Sequence, residues 1–326
     1  MEKRRIVTAL LALIMAATLF AGVNAAEYNI RFGHDDTDTS TYHYGLLKFK
    51  ELVEERSGGR VSVEVFPSGQ LGSSRDMIEG LQMGTLECAF AVTAVMTNFM
   101  PEYNILDAPF IFRDYQHAYA VVDGEIGQEL DAQWLKKQNC RIMGYMDVGF
   151  RHIYSSKPVR SISDIKGLKI RTMQSKLNMA VFNKLGAIAT PMAGNEVFTA
   201  LQQKTIDAAE NAVQYVYHQK LYEVTPYITY TGHFYNFCAI MIAENYYQSL
   251  PKDIQDIIMS SAKDCVEFQR KLSRDFNEEA TVKLKGLDVE FIDSIKHEDL
   301  VEAVSSIYTE FANVLPPAKI ERIRKM

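Results

Sequence analysis

YNIRFGHDDTDTSTYHYGLLKFKELVEERSGGRVSVEV, residues 28–65, is the stretch that decides the fold class of this chain. Residues 28–32 and 61–65 alternate polar and apolar side chains, which predicts two strands that each bury one face. Between them, residues 46–53 place apolar side chains at helical spacing, and Gly58-Gly59 ends that helix. A strand, a crossover helix and a second strand in succession predict parallel pairing with a right-handed connection.

The alternation of helices and strands continues along the chain and predicts an α/β protein. We expect helices near 74–83, 114–137, 175–185 and 195–203, and strands near 86–92, 141–146, 168–171 and 206–208. The series that begins after Phe150 predicts a second lobe. From Pro251 to Phe276 apolar residues recur every three or four positions, which predicts one long helix. Its length of roughly 35–40 Å would allow it to brace both lobes.

The N-terminal residues have the pattern of a secretory signal peptide. Met1 to Arg5 is basic, residues 6–23 are mostly apolar, and Val23-Asn24-Ala25 has the small residues that signal peptidase requires. We expect cleavage near Ala25 and a periplasmic protein without a membrane anchor. The remainder, with 47% hydrophobic residues in the whole chain, is long enough for two lobes. The formal net charge of −6 disfavours nucleic acid as a partner.

The four cysteines, Cys88, Cys140, Cys238 and Cys265, lie far apart in the sequence. They form no Cys-x-x-Cys pair, so the spacing excludes the usual zinc and thioredoxin-type motifs. Cys88 and Cys238 occur in apolar segments, and we expect free buried thiols. One or two disulfides are the alternative, since an oxidising compartment would permit them.

Two arginines end short apolar runs, Arg151 in Gly149-Phe150-Arg151-His152 and Arg171 in Lys169-Ile170-Arg171. A guanidinium group binds a carboxylate through two parallel hydrogen bonds, a geometry that lysine cannot supply. Held at strand ends, both groups would face a cleft, and we therefore expect a small organic acid as the ligand. The alternative for each is a strand-end arginine that pairs with a surface acid.

Several segments, in this order and spacing, resemble the solute receptors of TRAP (tripartite ATP-independent periplasmic) transporters. They are residues 49–61, Phe66-Pro67-Ser68-Gly69-Gln70-Leu71-Gly72, Asp164-Ile165-Lys166-Gly167-Leu168-Lys169-Ile170-Arg171, Thr190-Pro191-Met192 and Ala200-Leu201-Gln202-Gln203. The resemblance covers nearly all of the mature chain. It implies two α/β lobes of the periplasmic-binding-protein type, joined by crossing strands, spanned by a long helix and closing on a ligand. It also implies a membrane permease driven by an ion gradient as the partner.

The resemblance assigns roles to three residues. Arg171 binds the ligand carboxylate, Arg151 assists, and Asn211 completes the site. The family commonly has Asp-Gly-Gln-Glu-Asn-Pro where residues 207–212 are Asp-Ala-Ala-Glu-Asn-Ala. This departure affects Glu210 and the start of the next helix more than Asn211. Asn211 would also serve as the cap of that helix.

His34 is a further ligand candidate. It lies in His34-Asp35-Asp36-Thr37-Asp38, just after the first strand, where loops of parallel sheets face the crevice; the alternative is a solvated loop. Asp36-x-Asp38 resembles the start of a calcium loop, but Thr41 and Leu47 stand where such a loop needs glycine and glutamate. We therefore expect no metal, and the chain suggests no cofactor.

Four other residues are candidates for contacts with the ligand. Arg75 would open a helix toward the cleft, and Met173, close to Arg171, would line the pocket. Tyr235 and Asn236 would offer an aromatic face and an amide to a sugar ring. The alternatives are a surface charge for Arg75 and core packing for the other three.

The absence of a flexible linker indicates that the lobes exchange strands. We assign residues 26–148 and 237–276 to lobe I, and residues 149–236 and 277–326 to lobe II. We expect a monomer.

These features together predict a receptor for a sugar acid, a hexuronate or an aldonate. A C4-dicarboxylate, a keto acid and sialic acid are alternatives, although Gly194 and Asn195 leave more space than a sialic acid site needs. A secreted α/β enzyme acting on organic acids and a ligand-sensing module are alternatives of another class. The chain lacks Gly-x-Ser-x-Gly, His-Glu-x-x-His and Gly-x-Gly-x-x-Gly, so we expect no enzymatic activity and no catalytic residues.

Overall fold

A nine-stranded mixed sheet organises the structure, a computed structural model that describes residues 26–326. The strands are β1 (Tyr28–Gly33), β2 (Val61–Phe66), β3 (Cys88–Val92), β4 (Cys140–Ser155), β5 (Lys169–Thr172), β6 (Ile188–Pro191), β7 (Ala208–Asn211), β8 (Tyr227–Ala243) and β9 (Glu290–Ile292). Along the sheet the order is β2-β1-β3-β8-β4-β7-β5-β6, and β9 pairs with β8. The α/β class predicted from the sequence is confirmed.

Helices connect most of these strands. They are α1 (Thr41–Arg56), α2 (Ser74–Met83), α3 (Thr93–Met96), α4 (Tyr115–Asp123), α5 (Glu125–Gln138), α6 (Lys176–Lys184), α7 (Val197–Gln202), α8 (Val213–His218), α9 (Glu244–Ser249), α10 (Lys252–Lys285), α11 (His297–Ala303), α12 (Ile307–Glu310) and α13 (Pro317–Lys325). Short 3₁₀ segments occupy Pro101–Asp107, Ile162–Ile165, Gly194–Glu196 and Leu221–Glu223.

The first strand–helix–strand unit forms as predicted. β1 and β2 pair in parallel, with Tyr28 opposite Val61. Ser40 caps α1, because its side-chain oxygen accepts a hydrogen bond from the backbone N–H of His43 at 3.2 Å. The helix buries Leu46 and Phe49 in the same hydrophobic core as Ile30 and Phe32 of β1.

The strand predicted near residues 141–146 was too short. β4 has 16 residues and pairs antiparallel with β8, which has 17 and was not predicted. β4 is interrupted by bulges beside Gly144 and Gly149, where φ is 157° and 95°. Each bulge shifts the alternation of polar and apolar side chains by one residue. No single period of two therefore runs through the whole strand, and the sequence pattern does not indicate its full length.

Because β4 is longer than predicted, Arg151 lies at a different place in the fold from the one expected. This residue was predicted at the start of the second lobe, but it lies inside the long strand, opposite Phe234 of β8. The boundary proposed between residues 148 and 149 therefore falls within a strand that continues through it. The lobe assignment itself remains a prediction.

The single helix expected over residues 114–137 is divided at Gly124. α4 is capped by Asp114, which accepts a hydrogen bond from the N–H of His117 at 2.7 Å. Gly124 has an extended backbone, with φ −90° and ψ −161°, and α5 begins at the next residue. The chain therefore changes direction where the sequence pattern indicated continuity.

α10 is longer than predicted, with 34 residues that end at Lys285. At about 1.5 Å per residue it spans roughly 50 Å. Its first half contributes Ile258 and Cys265 to the hydrophobic core around β1, and its last turns contribute Ala280 and Leu284 to a second core around β7. One helix thus packs against two separate cores, as expected of a brace.

All four cysteines are free and buried, in agreement with the expectation from their apolar surroundings. Across residues 26–326, no helix combines the length and apolar character that crossing a membrane requires. The predicted signal peptide and its cleavage site lie outside the described residues.

Gln269 fastens α10 to β4 and provides a test of this brace. Its side-chain amide accepts a hydrogen bond from the backbone N–H of Asp147 at 2.7 Å and donates to the Asp147 carbonyl at 3.0 Å. In Gln269→Ala the buried N–H of Asp147 loses its acceptor, so we expect the free energy of unfolding to fall by about 2–3 kcal/mol. Urea titration measures this change. Glu267→Ala, on the exposed face of the same helix, should stay within about 0.5 kcal/mol of the unmodified protein; equal effects in both variants would contradict the role of Gln269.

Candidate functional site

A cavity lies where the first part of the chain, the long strands and the second part of the chain meet. The space between its lining atoms is about 650 Å³, including the part open to solvent. Its lining residues are Asp35, Asp36, Tyr42, Ser73, Ser74, Phe90, Val92, Val95, Val148, Arg151, Arg171, Met173, Gln174, Met192, Ala193, Gly194, Asn211, Tyr215 and Cys238. Arg171, Arg151, Asn211 and Met173, all named from the sequence, therefore meet in one place.

Arg171 lies near the end of β5, and only 4% of its surface is exposed. Its Nε and Nη2 atoms donate to the backbone carbonyl of Met192 at 3.0 and 2.8 Å. This contact fixes the guanidinium group and uses two of its five N–H donors. Within residues 26–326 no carboxylate forms an ion pair with it. Arg171 therefore brings an unneutralised positive charge to the cavity wall.

Arg151 also reaches the cavity, but its charge is already paired. Nε and Nη2 bind both carboxylate oxygens of Glu210 at 2.5 and 2.9 Å, and Nη2 also donates to the Glu210 carbonyl. Nη1 donates to Oδ1 of Asn211 at 2.9 Å. These four bonds leave one of the five N–H donors free. Arg151 thus holds β7 in place and has little left with which to bind a carboxylate.

Glu210 is fully buried and remains ionised. Burial alone would raise the pKa of Glu210, but the charge of Arg151 and the hydrogen bonds from His233 and Arg151 lower it to about 2. Glu210 thus forms a bidentate ion pair with Arg151 even though residues 207–212 depart from the family pattern. Asn211 follows it at the end of β7, where its Oδ1 also accepts from the N–H of Ala212 at 2.8 Å.

Two aspartates line the cavity from the loop after β1. Asp35 accepts hydrogen bonds from the backbone N–H and the hydroxyl of Ser74 at 3.1 and 2.8 Å, at the first turn of α2. Burial raises the pKa of Asp35, and the bonds from Ser74 oppose this shift. Asp36 accepts from the N–H of Thr37 and from the side chain of Gln219. Against the effect of burial, the nearby His218 lowers the pKa of Asp36.

The rest of the lining is mostly apolar. Tyr42 stacks on Phe90 with ring centroids 5.5 Å apart and an angle of 29°. Met173 is 3% exposed and lies beside Arg171, as expected from the sequence. Tyr215 donates its hydroxyl hydrogen bond to the carbonyl of Gly194 at 3.3 Å, which ties α8 to the loop after β6. Low polarity around the charged groups strengthens their electrostatic interactions.

His34 and Arg75 do not line the cavity. His34 is completely buried, with Nε2 3.0 Å from Nδ1 of His43, and its ring lies against Phe90. Desolvation lowers the pKa of His34 to about 4, so the ring is neutral. Arg75 is exposed, pairs with Glu79 at 3.1 Å and contacts the ring of Phe99. The loop containing His34 does reach the cavity, but through Asp35 and Asp36.

Tyr235 and Asn236 lie in the core. Tyr235 donates to Asp147 and packs among aromatic rings, including Phe150 at 4.9 Å between centroids. Asn236 donates to Asp107, which is also fully buried. Both side chains therefore have internal partners, and the alternative of core packing applies to them.

Sequence reasoning missed Tyr42, Tyr215 and the role of Asp35 as lining residues. The only sequence signal for Asp35 is its place in the loop after β1, which it shares with the predicted ligand contact His34. Tyr42 and Tyr215 belong to the first turns of helices, and nothing in the local pattern separates them from core aromatics. Within residues 26–326 the structure contains no group of three or more acidic, histidine or cysteine side chains suited to a metal ion.

Comparison with known proteins gives one family. The model of DctP, bacterial extracellular solute-binding protein, family 7, matches residues 32–314. The 2,3-diketo-L-gulonate-binding periplasmic protein YiaO of Escherichia coli (strain K12) is 32% identical over 307 residues, which cover 94% of this chain and 93% of YiaO.

Two solved structures show the same architecture. The sugar acid binding protein DctPAm from Advenella mimigardefordensis strain DPN7T, in complex with galactonate, has a TM-score of 0.88 and 33% identity, over 91% of this chain and 96% of its own. A TRAP periplasmic solute binding protein from Sulfurospirillum deleyianum DSM 6946, with bound succinate, has a TM-score of 0.87 and 29% identity, over 92% and 99%. These matches confirm the predicted two-lobe fold.

The Arg151–Glu210 pair should be essential for stability. Glu210→Gln leaves the Arg151 guanidinium buried without a counter-ion, so we expect the free energy of unfolding to fall by about 3–5 kcal/mol. Because the pKa of Glu210 is depressed, its contribution is present above pH ~4.5 and disappears as the pH falls toward about 2. Urea titrations at several acid pH values measure both effects. Glu79→Gln, which breaks an exposed pair with Arg75, should change stability by less than about 1 kcal/mol.

Asp107 should make stability depend on pH in the opposite direction. Burial raises the pKa of Asp107 to about 8, against the opposing effect of Arg151, and Oδ2 has no partner within the described chain. The folded state therefore holds a proton that the unfolded state releases near pH 4, so stability declines between pH ~4 and ~8 by up to about 1.4 kcal/mol per unit. Asp107→Asn mimics the protonated group and should gain stability relative to the unmodified protein as the pH rises. A constant difference across this range would contradict the assignment.

Proposed function

Because the chain belongs to the DctP family of bacterial extracellular solute-binding proteins, family 7, we propose that it binds a sugar acid, a hexuronate or an aldonate, and delivers it to a membrane permease. Proteins of this family are periplasmic receptors of TRAP transporters that bind small acids and work with a permease. The chain is accordingly a receptor and not an enzyme. The identity of the acid is the part that is proposed.

The observation that carries the proposal is the guanidinium group of Arg171, which lines the cavity and has no ion-pair partner within residues 26–326. Its two bonds to the Met192 carbonyl leave three N–H donors, enough for a bidentate contact with a carboxylate. Arg151 contributes by holding Asn211 in the wall and by presenting its one remaining N–H. We therefore assign the carboxylate of the ligand to Arg171, with Arg151 and Asn211 beside it.

Binding energy supports a ligand with hydroxyl groups. An affinity of about 1 μM corresponds to roughly 8 kcal/mol, whereas a hydrogen bond to a charged group contributes only about 1.5–3 kcal/mol. Arg171 alone is insufficient. The cavity also offers the amide nitrogen of Asn211, which makes no hydrogen bond within residues 26–326, together with the carboxylates of Asp35 and Asp36. A polyhydroxylated acid would use these groups, while a bare dicarboxylate would leave them unused.

The relatives support the same class of ligand and provide one alternative. DctPAm was solved with galactonate, and YiaO is named for 2,3-diketo-L-gulonate; both are sugar acids. The receptor from Sulfurospirillum deleyianum was solved with succinate, so a C4-dicarboxylate is the second candidate. The acidic residues of the cavity argue against it, since a second carboxylate would approach like charges.

Delivery would follow from closure of two lobes on the ligand. We propose lobe I as residues 26–148 and 237–276, and lobe II as residues 149–236 and 277–326. Two hydrogen bonds join these parts: Thr41 to Gln214 at 3.1 Å, and Gln219 to Asp36, which lines the cavity. A ligand held by Arg171 and by the loop after β1 would add contacts that exist only in the closed state, and so would stabilise it for recognition by the permease. We further propose a monomer that is cleaved near Ala25.

A ligand panel tests the proposal. Calorimetry and melting temperature of the mature chain should be measured with hexuronates, aldonates, C4-dicarboxylates, keto acids and sialic acid. We expect a hexuronate or an aldonate to bind in the micromolar range or tighter and to be recovered unchanged. Tighter binding of a dicarboxylate would refute the sugar acid, and no binding of any acid would refute the receptor for acids.

Arg171→Ala should abolish binding of every acid in the panel without unfolding the protein. Loss of two charged hydrogen bonds removes about 3–6 kcal/mol, so the affinity should fall at least 100-fold. The fold should persist, since Arg171 has no ion-pair partner within the described chain. Arg75→Ala is the matched control, because it also removes an arginine but from an exposed helix outside the cavity. Equal affinities for Arg171→Ala and Arg75→Ala would remove the assignment of the carboxylate to Arg171.

A further inference from the structure

We propose that Asp35 and Tyr42 are the specificity-determining residues of this cavity, binding a hydroxyl group of the ligand and rejecting a second carboxylate. This inference rests on the proposed function, since it concerns the part of the ligand that Arg171 does not hold. It assigns to two residues the discrimination between a hydroxylated monocarboxylate and a dicarboxylate.

Asp35 is a fixed acceptor in the wall of the cavity. Both hydrogen bonds from Ser74 go to Oδ2, and they anchor the carboxylate at the first turn of α2, a helix of ten residues. Oδ1 accepts no hydrogen bond from another residue of the described chain. A hydroxyl donor of the ligand would meet an oxygen whose position is already set, so little ordering is needed on binding.

Tyr42 provides an independent observation at the same wall. It lines the cavity and is only 5% exposed, and its hydroxyl makes no hydrogen bond to another residue within residues 26–326. The ring is held by its stacking on Phe90 and by its place in the first turn of α1. A tyrosine that lines a cavity and has no protein partner for its hydroxyl can offer that hydroxyl to a ligand.

The positively charged and the acidic side chains of the cavity belong to different parts of the sheet. Asp35 and Asp36 follow β1, whereas Arg171 ends β5, and four strands, β3, β8, β4 and β7, separate β1 from β5 in the sheet. The positive group and the two acids therefore belong to different walls. A dicarboxylate held at one end by Arg171 would bring its second charge into a cavity that Asp35 and Asp36 also line, and like charges repel. Hydroxyl groups of a sugar acid can instead donate to Asp35 and accept from Tyr42, since both residues line the same cavity.

Asp36 is not assigned the same role. Its Oδ1 accepts from Thr37 and Gln219, and Nε2 of His218 lies 3.3 Å away, so this carboxylate joins the loop after β1 to α8 and the segment that follows it. Replacement of Asp36 would disturb that junction as well as the charge. Asp35 and Tyr42 are the cleaner probes of recognition.

The test compares affinities for a hexuronate, a hexonate and succinate by calorimetry in four forms of the mature chain: unmodified, Asp35→Asn, Tyr42→Phe and Asp38→Asn. Asp38 is the matched control, because it is an exposed acid of the same loop outside the cavity. We expect the unmodified protein to prefer a sugar acid over succinate by at least 100-fold. Asp35→Asn should weaken the sugar acid about 10-fold and tighten succinate. Tyr42→Phe should weaken only the sugar acid, and Asp38→Asn should leave the preference within twofold.

The outcomes separate this inference from the proposed function. If Asp35→Asn changes the preference no more than Asp38→Asn does, or if Tyr42→Phe binds the sugar acid as well as the unmodified protein, the assignment is overturned while the dependence on Arg171 stands. If Arg171→Ala retains the affinity of the unmodified protein, the proposed function fails instead. Should Asp35→Asn not fold, as judged from its melting curve, Tyr42→Phe decides the question.

Discussion

The buried ion pair between Arg151 and Glu210 is the interaction on which the rest of the site depends. It joins the long strand β4 to β7, and through Asn211 it fixes the end of β7 at the cavity. Because the two charges cancel, the pair leaves Arg171 as the positive group that determines the field of the cavity. Removing either partner would leave a charge in the protein interior, which is far more costly than an exposed broken pair. The site therefore combines a neutral internal support with one available cation.

This arrangement explains why Arg151 and Arg171, which have similar sequence contexts, have different roles in the site. Both end apolar runs and both reach the same cavity. Arg151 is satisfied by Glu210 and Asn211, whereas Arg171 is anchored only by a backbone carbonyl. A carbonyl orients the guanidinium group without neutralising it. The difference lies in the partners that the fold supplies. A ligand carboxylate is attracted more strongly to the guanidinium group whose charge is still uncompensated.

The sequence was sufficient for the fold class, for the first strand–helix–strand unit and for the meeting of Arg151, Arg171, Asn211 and Met173, because these depend on local periodicity or on family motifs. It was insufficient for β4 and β8. Bulges at Gly144 and Gly149 break the alternation of β4, and β8 is buried on both faces over most of its length, so neither has a period of two to detect. Adjacent residues of a loop can point to opposite sides, and no sequence pattern reveals which of them faces a cavity. His34 was therefore predicted as a ligand contact, whereas Asp35 is the residue that lines the cavity.

The four unbridged cysteines have a consequence for how such a receptor can be produced. Burial raises the pKa of each thiol, that of Cys140 to about 12, so almost no thiolate exists at neutral pH once the chain has folded. Thiolates are the species that attack disulfides and react with oxidants. The four thiols of the folded protein are therefore poor nucleophiles at neutral pH. A wrong disulfide should therefore form most readily before the core closes around these thiols.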